Sequence, residues 1–386
     1  MITRIDLRHF KCFDILKLPL SPLTLLSGTN ASGKSSVMQA LVLLHQTMRE
    51  HEWSPRLMLN GSAIRLGTAA EVIDQVYGRR SCNISLFDQD GAQYSWEFEG
   101  ERDEMSMAVR SFKGETSKGV DWESDNTQLY HWLLPAEWNE RSLIERLRKL
   151  TYLTAERLGP REYYIYDDPQ LTPVVGSRGE FAVSVLYSGR DQNILPNLVE
   201  AGVPPTRFRQ VEAHMARFFP GCVLEIEQVP RANAVTLGIR ISNDTDYHRP
   251  VNTGFGVTQV LPVVVAALSA EKDDIILIEN PEVHLHPGGQ AAMGRFLANT
   301  AASGVQVIIE THSDHILNGI RRTVKDGILS SESVSLHFFQ PRRTDGADDG
   351  LQVQSPLLDG NGNVDRWPDG FFDQFDRDMN YFAGWN

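Results

Sequence analysis

The sequence predicts an α/β protein of two lobes, with a mixed N-terminal sheet, a parallel core sheet flanked by helices, and a helical insertion. Three observations predict it. A short apolar run, Leu23-Thr24-Leu25-Leu26, ends on a glycine-rich stretch, and helical spacing follows at Val37, Ala40, Leu41, Leu43 and Leu44. Helix-like and strand-like apolar runs then alternate over residues 257–309, the order that builds a parallel sheet covered on both faces. The 386 residues are 41% hydrophobic and 23% charged, a globular balance that allows one or two domains with sizeable cores.

The elements follow in order. Residues 2–8 read as extended, with apolar side chains in both alternating sets, Ile2 in one and Ile5 and Leu7 in the other. A turn over residues 9–14 leads to a second extended stretch through Leu18. Residues 83–87 and 94–98 read as strands joined by Asp88-Gln89-Asp90-Gly91, where Asp-Gly is a hairpin signal. Residues 101–126 are polar and read as a surface insertion. Residues 138–150 and 207–219 have amphipathic helical spacing, the second ended by Pro220-Gly221. Residues 222–241 return to strand type. Then 257–270 reads as helix, 275–278 as buried strand, 288–302 as helix and 305–309 as buried strand. The expected domains are 1–100, the first lobe; 101–215, the insertion or helical arm; 216–340, the second lobe; and 341–386, an acidic segment packed on the head.

Composition narrows the function classes. The longest apolar runs, such as 260–268 and 275–278, are too short to span a bilayer, and Met1-Ile2-Thr3-Arg4-Ile5-Asp6 lacks a secretion-signal core. Cys12, Cys82 and Cys222 are too scattered for a disulfide framework or a zinc cluster. The expectation is a cytoplasmic protein without a membrane partner. A net charge of −13 argues against a surface that coats nucleic acid everywhere. A local basic groove stays open, since Arg141, Arg146, Arg148 and Lys149 fall on one expected helix, although such a run reads first as a solvated face. The tail from Asp359 to Asp378 holds six aspartates against two arginines.

The chemistry starts at Gly28-Thr29-Asn30-Ala31-Ser32-Gly33-Lys34-Ser35, which fits GxxxxGK[ST] fully. Glycines let the backbone curl so that successive N–H groups line one concavity, and the following helix adds its positive end. Gly28, Asn30, Ser32, Gly33, Lys34, Ser35 and Ser36 are thus the candidate triphosphate binders. Lys34 would reach the β- and γ-phosphates of ATP, and the Ser35 hydroxyl would take one position on Mg2+. The alternative is a chance glycine turn, which the strand before it and the helix after it oppose. Second, Ile275-Ile276-Leu277-Ile278 reads as a central strand with Glu279 emerging at its carboxyl end, where open parallel sheets place their ligand crevice. Glu279 there can hold Mg2+ directly or through water. Third, Asn252-Thr253-Gly254-Phe255-Gly256-Val257-Thr258-Gln259 is a glycine-rich turn opening a helix. Fourth, Val307-Ile308-Ile309-Glu310-Thr311-His312-Ser313 is a buried strand ending in a histidine.

These four in order resemble the ABC-type heads of the RecF, SMC and OLD ATPases. The match is closest to a prokaryotic AAA branch with the motif seen here as Glu279-Asn280-Pro281-Glu282-Val283-His284-Leu285-His286-Pro287. Thr154-Ala155-Glu156-Arg157-Leu158-Gly159-Pro160-Arg161, Val175-Gly176-Ser177-Arg178-Gly179-Glu180 and Asp365-Arg366-Trp367-Pro368-Asp369-Gly370-Phe371-Phe372 also resemble stretches of that branch. The resemblance implies that Thr253, Gly254, Gly256 and Gln259 contact ATP held by a partner subunit, and that His312 is the switch histidine. It places His284 and His286 in the loop facing the opposing subunit, against the alternative of a transition-metal pair. Asn280 departs from the usual pattern, in which this position is the glutamate that polarises the attacking water. Asparagine cannot accept a proton, so Glu282 and His312 become the candidates to orient the water, and hydrolysis is expected to be slow.

The resemblance therefore implies an ATPase that dimerises head to tail around two ATP and gates an effector, a nuclease or toxin, in phage defence or DNA repair. The stretch after His312 is too short to add a nuclease domain, so the effector is expected on a separate chain. Homodimers or higher homo-oligomers follow, with nucleic acid as an open partner. The alternative is an ATP-stabilised scaffold or sensor with incidental hydrolysis. A transporter subunit lacks a recognisable membrane-coupling segment, and a small-molecule kinase would not need the turn at 253–259.

Overall fold

The computed structural model describes the chain except residues 76–77, 117–118, 120, 126–128, 167–174, 243, 343–351, 373 and 385–386. The chain forms two compact units, Met1–Leu150 with Ser335–Pro356, and Thr151–Val334 with Leu357–Asn386. The borders expected at 100/101, 215/216 and 340/341 fall elsewhere, and the segment 101–215 is divided between the units.

The first unit opens with β1 (Ile2–Phe10), β2 (Phe13–Pro19), β3 (Leu23–Gly28), α1 (Lys34–Glu50), β4 (Arg56–Met58) and α2 (Ala69–Val72). It continues through β5 (Ser81–Asp88), β6 (Gln93–Glu99), β7 (Ser106–Glu115), β8 (Asp121–Asp125), β9 (Tyr130–His131), β10 (Leu134–Pro135) and α3 (Ser142–Arg148). The large sheet has the order β2-β1-β5-β6-β7-β4, with β8 also on β7, and each neighbouring pair runs antiparallel. A register shift between Ile2 and Arg4 explains why β1 has apolar residues in both alternating sets, since Ile2, Ile5 and Leu7 are all fully buried.

The expected surface insertion is a correction. Residues 106–115 are β7, and Met107, Val109 and Phe112 enter the core while Arg110 and Lys113 face water. The charged solvent face hid the strand, and a bulge at Arg110, where Glu97 and Phe98 of β6 face Ser111 and Val109, broke the alternation of β7 itself. Asn126 lies outside the described residues. The helix expected over 138–150 shortens to α3, because Trp138 is drawn into an aromatic cluster with Tyr94 and Phe112, at centroid distances of 6.1 and 5.6 Å.

The second unit comprises β11 (Thr151–Leu153), β12 (Tyr164–Ile165), α4 (Ala182–Ser188), α5 (Arg207–Phe218), β13 (Val223–Gln228), β14 (Ala234–Arg240), α6 (Phe255–Ser269), β15 (Ile275–Glu279), α7 (Pro287–Ala302), β16 (Gln306–Glu310) and α8 (Asp314–Lys325). Strands β11, β15 and β16 run parallel in that order. Their Ile, Leu and Val runs are buried on both faces, as helix-covered parallel strands require. Strands β12, β14 and β13 form a separate antiparallel sheet.

The chain then returns to the first unit through β17 (Val334–Phe339) and β18 (Val353–Gln354), which follow β3 in strand order. It ends with α9 (Gln374–Ala383). The acidic tail is anchored within the second unit. Arg321 Nε on α8 donates to Gly362 O at 2.6 Å, and Phe371 is fully buried. Among the described residues, no helix is long and apolar enough to cross a membrane.

Candidate functional site

In the first unit, the fully buried strand β3 delivers the chain to Gly28 at φ 137°. A side chain there would collide with the Phe339 carbonyl, whose oxygen accepts the Thr29 N–H at 3.2 Å. Gly33 caps α1 at φ 105° and ψ 3°, and a Cβ on it would lie 2.5 Å from Phe13 Cζ and 2.6 Å from Cys12 Sγ. Both glycines are therefore required by the backbone. Between them Asn30 is exposed at the tip, Ala31 is left-handed at φ 58°, and Ser32 Oγ donates to Thr29 O at 2.7 Å. Lys34 is 4% exposed, and its Nζ donates to Thr29 O at 2.7 Å and to Gly28 O at 3.2 Å. Ser35 and Ser36 are half-buried in the first turn of α1, which has neither a side-chain cap nor an acidic residue. Buried cation, curled backbone and uncapped helix start together form a positive cradle, the chemistry that a phosphate chain satisfies.

In the second unit, Glu279 closes β15. Its Oε1 accepts the Tyr152 hydroxyl at 2.7 Å and its Oε2 accepts the Ala155 N–H at 3.1 Å. Burial, with the Glu279 charge beside it, pushes the Tyr152 phenol upward, so it stays protonated as a donor. Asn280 is left-handed at φ 43°, its N–H donates to Glu310 O at 2.7 Å, and its Oδ1 is buried without a hydrogen bond. Asparagine is among the few non-glycine residues that tolerate this conformation, so Asn280 has a backbone reason as well as a chemical consequence. Glu282 Oε1 accepts the His312 N–H at 3.0 Å, while its Oε2 is buried without a hydrogen bond. His312 itself is exposed, immediately after β16. Glu279, Asn280, Glu282 and His312 thus share one end of the parallel strands within this unit.

Arg157 was not singled out as a site residue, yet it is 5% exposed and turns its guanidinium onto this end of β15. Nη1 donates to Asn280 O at 3.2 Å, and Nη2 to Glu279 O and, at 3.3 Å, to Asn280 O. Burial lowers its pKa to about 10, opposed by the charges of Glu282 and Glu279. The sequence signal was a resemblance alone, in the stretch around Thr154 to Arg161. Tyr152 gave no signal.

The glycine-rich turn opens α6. Thr253 Oγ1 donates to Pro250 O at 3.1 Å, and Gly254, at φ 84°, has open space where a Cβ would point. Phe255 is 57% exposed. A Cβ on Gly256 would lie 3.0 Å from Phe219 and 3.3 Å from His284 O, so Gly256 is a close-packing glycine. Gln259 is buried in the single chain. It is 5% exposed, and its Nε2 faces the Arg157 and Leu158 carbonyls at 3.4 Å. One helical turn past Phe255 on the same face, it is turned inward in this chain.

His286 Nδ1 accepts the Gly288 N–H at 3.2 Å as the cap of α7. His284 is left-handed at φ 62°, with its ring 5.9 Å from that of Phe255. The basic cluster is engaged inside the first unit. Arg141 Nη1 lies 2.6 Å from His131 Nδ1, Arg146 lies 4.0 Å from the Asp90 carboxylate, and Arg148 sits 4.1 Å over the Trp132 ring. A further group, His9, Asp14 and Asp74, gathers within 4.8 Å, with Asp74 ion-paired to Arg342 at 3.0 Å.

Residues 23–318 match the family described as "AAA domain, putative AbiEii toxin, Type IV TA system". Residues 329–381 match a family described as a protein of unknown function, DUF3696. The chain is 24% identical over 332 residues to the OLD nuclease of Thermus scotoductus, covering 81% of this chain and 59% of that protein. This chain therefore spans less than two thirds of that relative. Among solved structures it is similar to an Smc head bound to the C-winged helix domain of ScpA, at 13% identity and TM-score 0.49, covering 92% of this chain and 98% of that one. It is also similar to the Smc head domain with an extended coiled coil from Pyrococcus furiosus, bound to the C-terminal domain of ScpA. That likeness is at 12% identity and TM-score 0.49, covering 92% and 96% of the two chains.

Proposed function

This chain belongs to the family of AAA domains described as putative AbiEii toxins of type IV toxin–antitoxin systems, and from that premise we propose that it is an ATP-driven switch with slow hydrolysis. Residues 28–36 bind the triphosphate of ATP through backbone N–H groups, with Lys34 on the terminal phosphates. Ser35 and Glu279 are the residues that the sequence resemblance assigns to Mg2+, which would neutralise phosphate charge. Glu279 already accepts from Tyr152 and Ala155, so contact through water suits it better than direct ligation. Glu282, whose Oε2 has no hydrogen bond, orients or deprotonates the attacking water in place of Asn280, and His312 assists. Two copies assemble head to tail, with Thr253, Gly254 and Gly256 of each facing the other's ATP. The closed pair gates a nuclease or toxin effector in phage defence or DNA repair. The family description and the likeness to the OLD nuclease support a toxin or nuclease as the effector.

One observation carries the reading. Lys34 is buried at the uncapped positive end of α1, inside a loop whose glycines admit no side chains. Such positive potential is balanced best by an anion. The experiment measures ATP affinity and solution mass, with and without ATP and Mg2+, for the wild type and Lys34→Ala. A charge-assisted hydrogen bond contributes about 1.5–3 kcal/mol, so Lys34→Ala weakens ATP binding by tenfold or more, and only the wild type doubles in mass. Unchanged affinity sinks the phosphate-loop reading. A mass indifferent to nucleotide sinks the dimer.

Asn280 favours a second reading, an ATP-stabilised scaffold whose hydrolysis is incidental, because its amide cannot take a proton. If Asn280→Glu accelerates turnover and abolishes biological function, this reading replaces the first.

A further inference from the structure

We propose that Arg157 is a positioning residue that ties the first turn of α6 to the carboxylate turn at 279–282, so that the packing of α6 against residues 157–159 sets the geometry of hydrolysis. The inference rests on the ATPase reading above.

The ladder itself shows why an arginine is needed. Strand β11 pairs with β15 only as far as Leu153 opposite Ile278. Beyond that register the carbonyls of Glu279 and Asn280 have lost their strand neighbour on this side, and buried carbonyls need donors. Arg157 supplies them. Its planar fork spans two successive carbonyls from one side chain, a geometry that a lysine ammonium does not reproduce. The guanidinium fixes the backbone between Glu279, with both carboxylate oxygens held, and Glu282, which reaches the His312 N–H.

The backbone of the same segment faces α6. Gln259 Nε2 points at the Arg157 and Leu158 carbonyls at 3.4 Å. One residue on, a Cβ added to Gly159 would lie 3.2 Å from Phe255 Cε1. Phe255 and Gln259 are one helical turn apart on the same face of α6, so residues 157–159 lie along that face at two points. From behind, Leu158 N–H donates to Arg178 O at 2.7 Å and Thr154 N–H to Ser177 O at 2.8 Å. The segment is therefore braced. A displacement of the half-exposed Phe255 is passed to the Arg157 backbone, and through its side chain to the turn that carries the carboxylates.

The test uses the full chain and compares Arg157→Lys, Gln259→Leu and the double variant in kcat, KM for ATP, and equilibrium affinity for a fluorescent ATP analogue. Misplacing reacting groups lowers turnover steeply while leaving ground-state binding intact. The expected result is a fall in kcat of about tenfold or more for each single variant, with nucleotide affinity unchanged. The double variant is no slower than the slower single, because both break one linkage. Unchanged kcat in Arg157→Lys, a KM effect without a kcat effect, or multiplying losses in the double overturns the proposal. Should Arg157→Lys fail to fold, Gly159→Ala crowds Phe255 with Arg157 left in place. A fall in kcat at constant affinity supports the linkage there, and a steady kcat overturns it. A wild type that never turns over ATP overturns the ATPase reading itself, whereas normal turnover in every variant overturns only this inference.

Discussion

Replacing Asn280 separates backbone from chemistry at one position. The residue sits at φ 43°, where an ordinary L side chain costs about 1–2 kcal/mol that asparagine partly escapes. Asn280→Glu is therefore expected to lower stability by about 1 kcal/mol relative to Asn280→Gly, which has no Cβ to strain. In a unit of this size that is a fall of about 2–4 °C in melting temperature. The glutamate also brings a carboxylate into a turn that already carries Glu279 and Glu282, and like charges disfavour its ionised form. Its gain as a base consequently emerges at the alkaline end of the pH–rate profile. Positioned general bases contribute about 10²–10⁴-fold. A tenfold or larger rise in single-turnover rate over Asn280→Gln, at saturating ATP, is thus the expected minimum. Equal rates for the Glu and Gln variants would refute the claim that the missing base limits turnover. Equal melting temperatures for the Glu and Gly variants would refute the strain argument, independently of the kinetics.

Other expectations follow from the first unit. Gly33→Ala forces a positive φ of 105° on a residue with a Cβ that lies 2.5 Å from Phe13 Cζ, so strain and overpacking together destabilise it by about 2–5 kcal/mol. Calorimetry checks this, and an unshifted melt would show that the loop can relax. His45 and His337 are both buried, and burial lowers each pKa to about 4 from its ordinary 6.5. Between pH 6.5 and 4 the unfolded chain binds protons that the folded chain refuses, so stability is full above 6.5 and falls with pH, by up to about 1.4 kcal/mol per pH unit for each histidine. Thermal melts across that window check it. His337→Gln should flatten the slope, and an unchanged slope would count against the assignment.

The alternation of β15, α7 and β16 was legible because parallel strands buried on both faces read as unbroken Ile, Leu and Val runs. The strand β7 was not, because its outward face is charged and its own bulge at Arg110 interrupts the period. Gln259 shows the same limit in the candidate site. A glycine-rich turn before a helix was readable, but which helix face turns inward depended on the packing of residues 157–159.

The glycine-rich loop at 28–35 can be read from its own eight residues, since GxxxxGK[ST] encodes its positive-φ glycines and helix start, and local backbone preference needs no distant partner. That Asn280 stands where a base would is what the resemblance in sequence implies. That Tyr152, Ala155 and Arg157 hold Glu279 and Asn280 emerges on folding alone, through contacts that span 122 to 127 residues. Those contacts arise because β11 pairs beside β15 and stops at Leu153. Strand adjacency is set by the packing of the whole unit, and no periodicity in the chain records it.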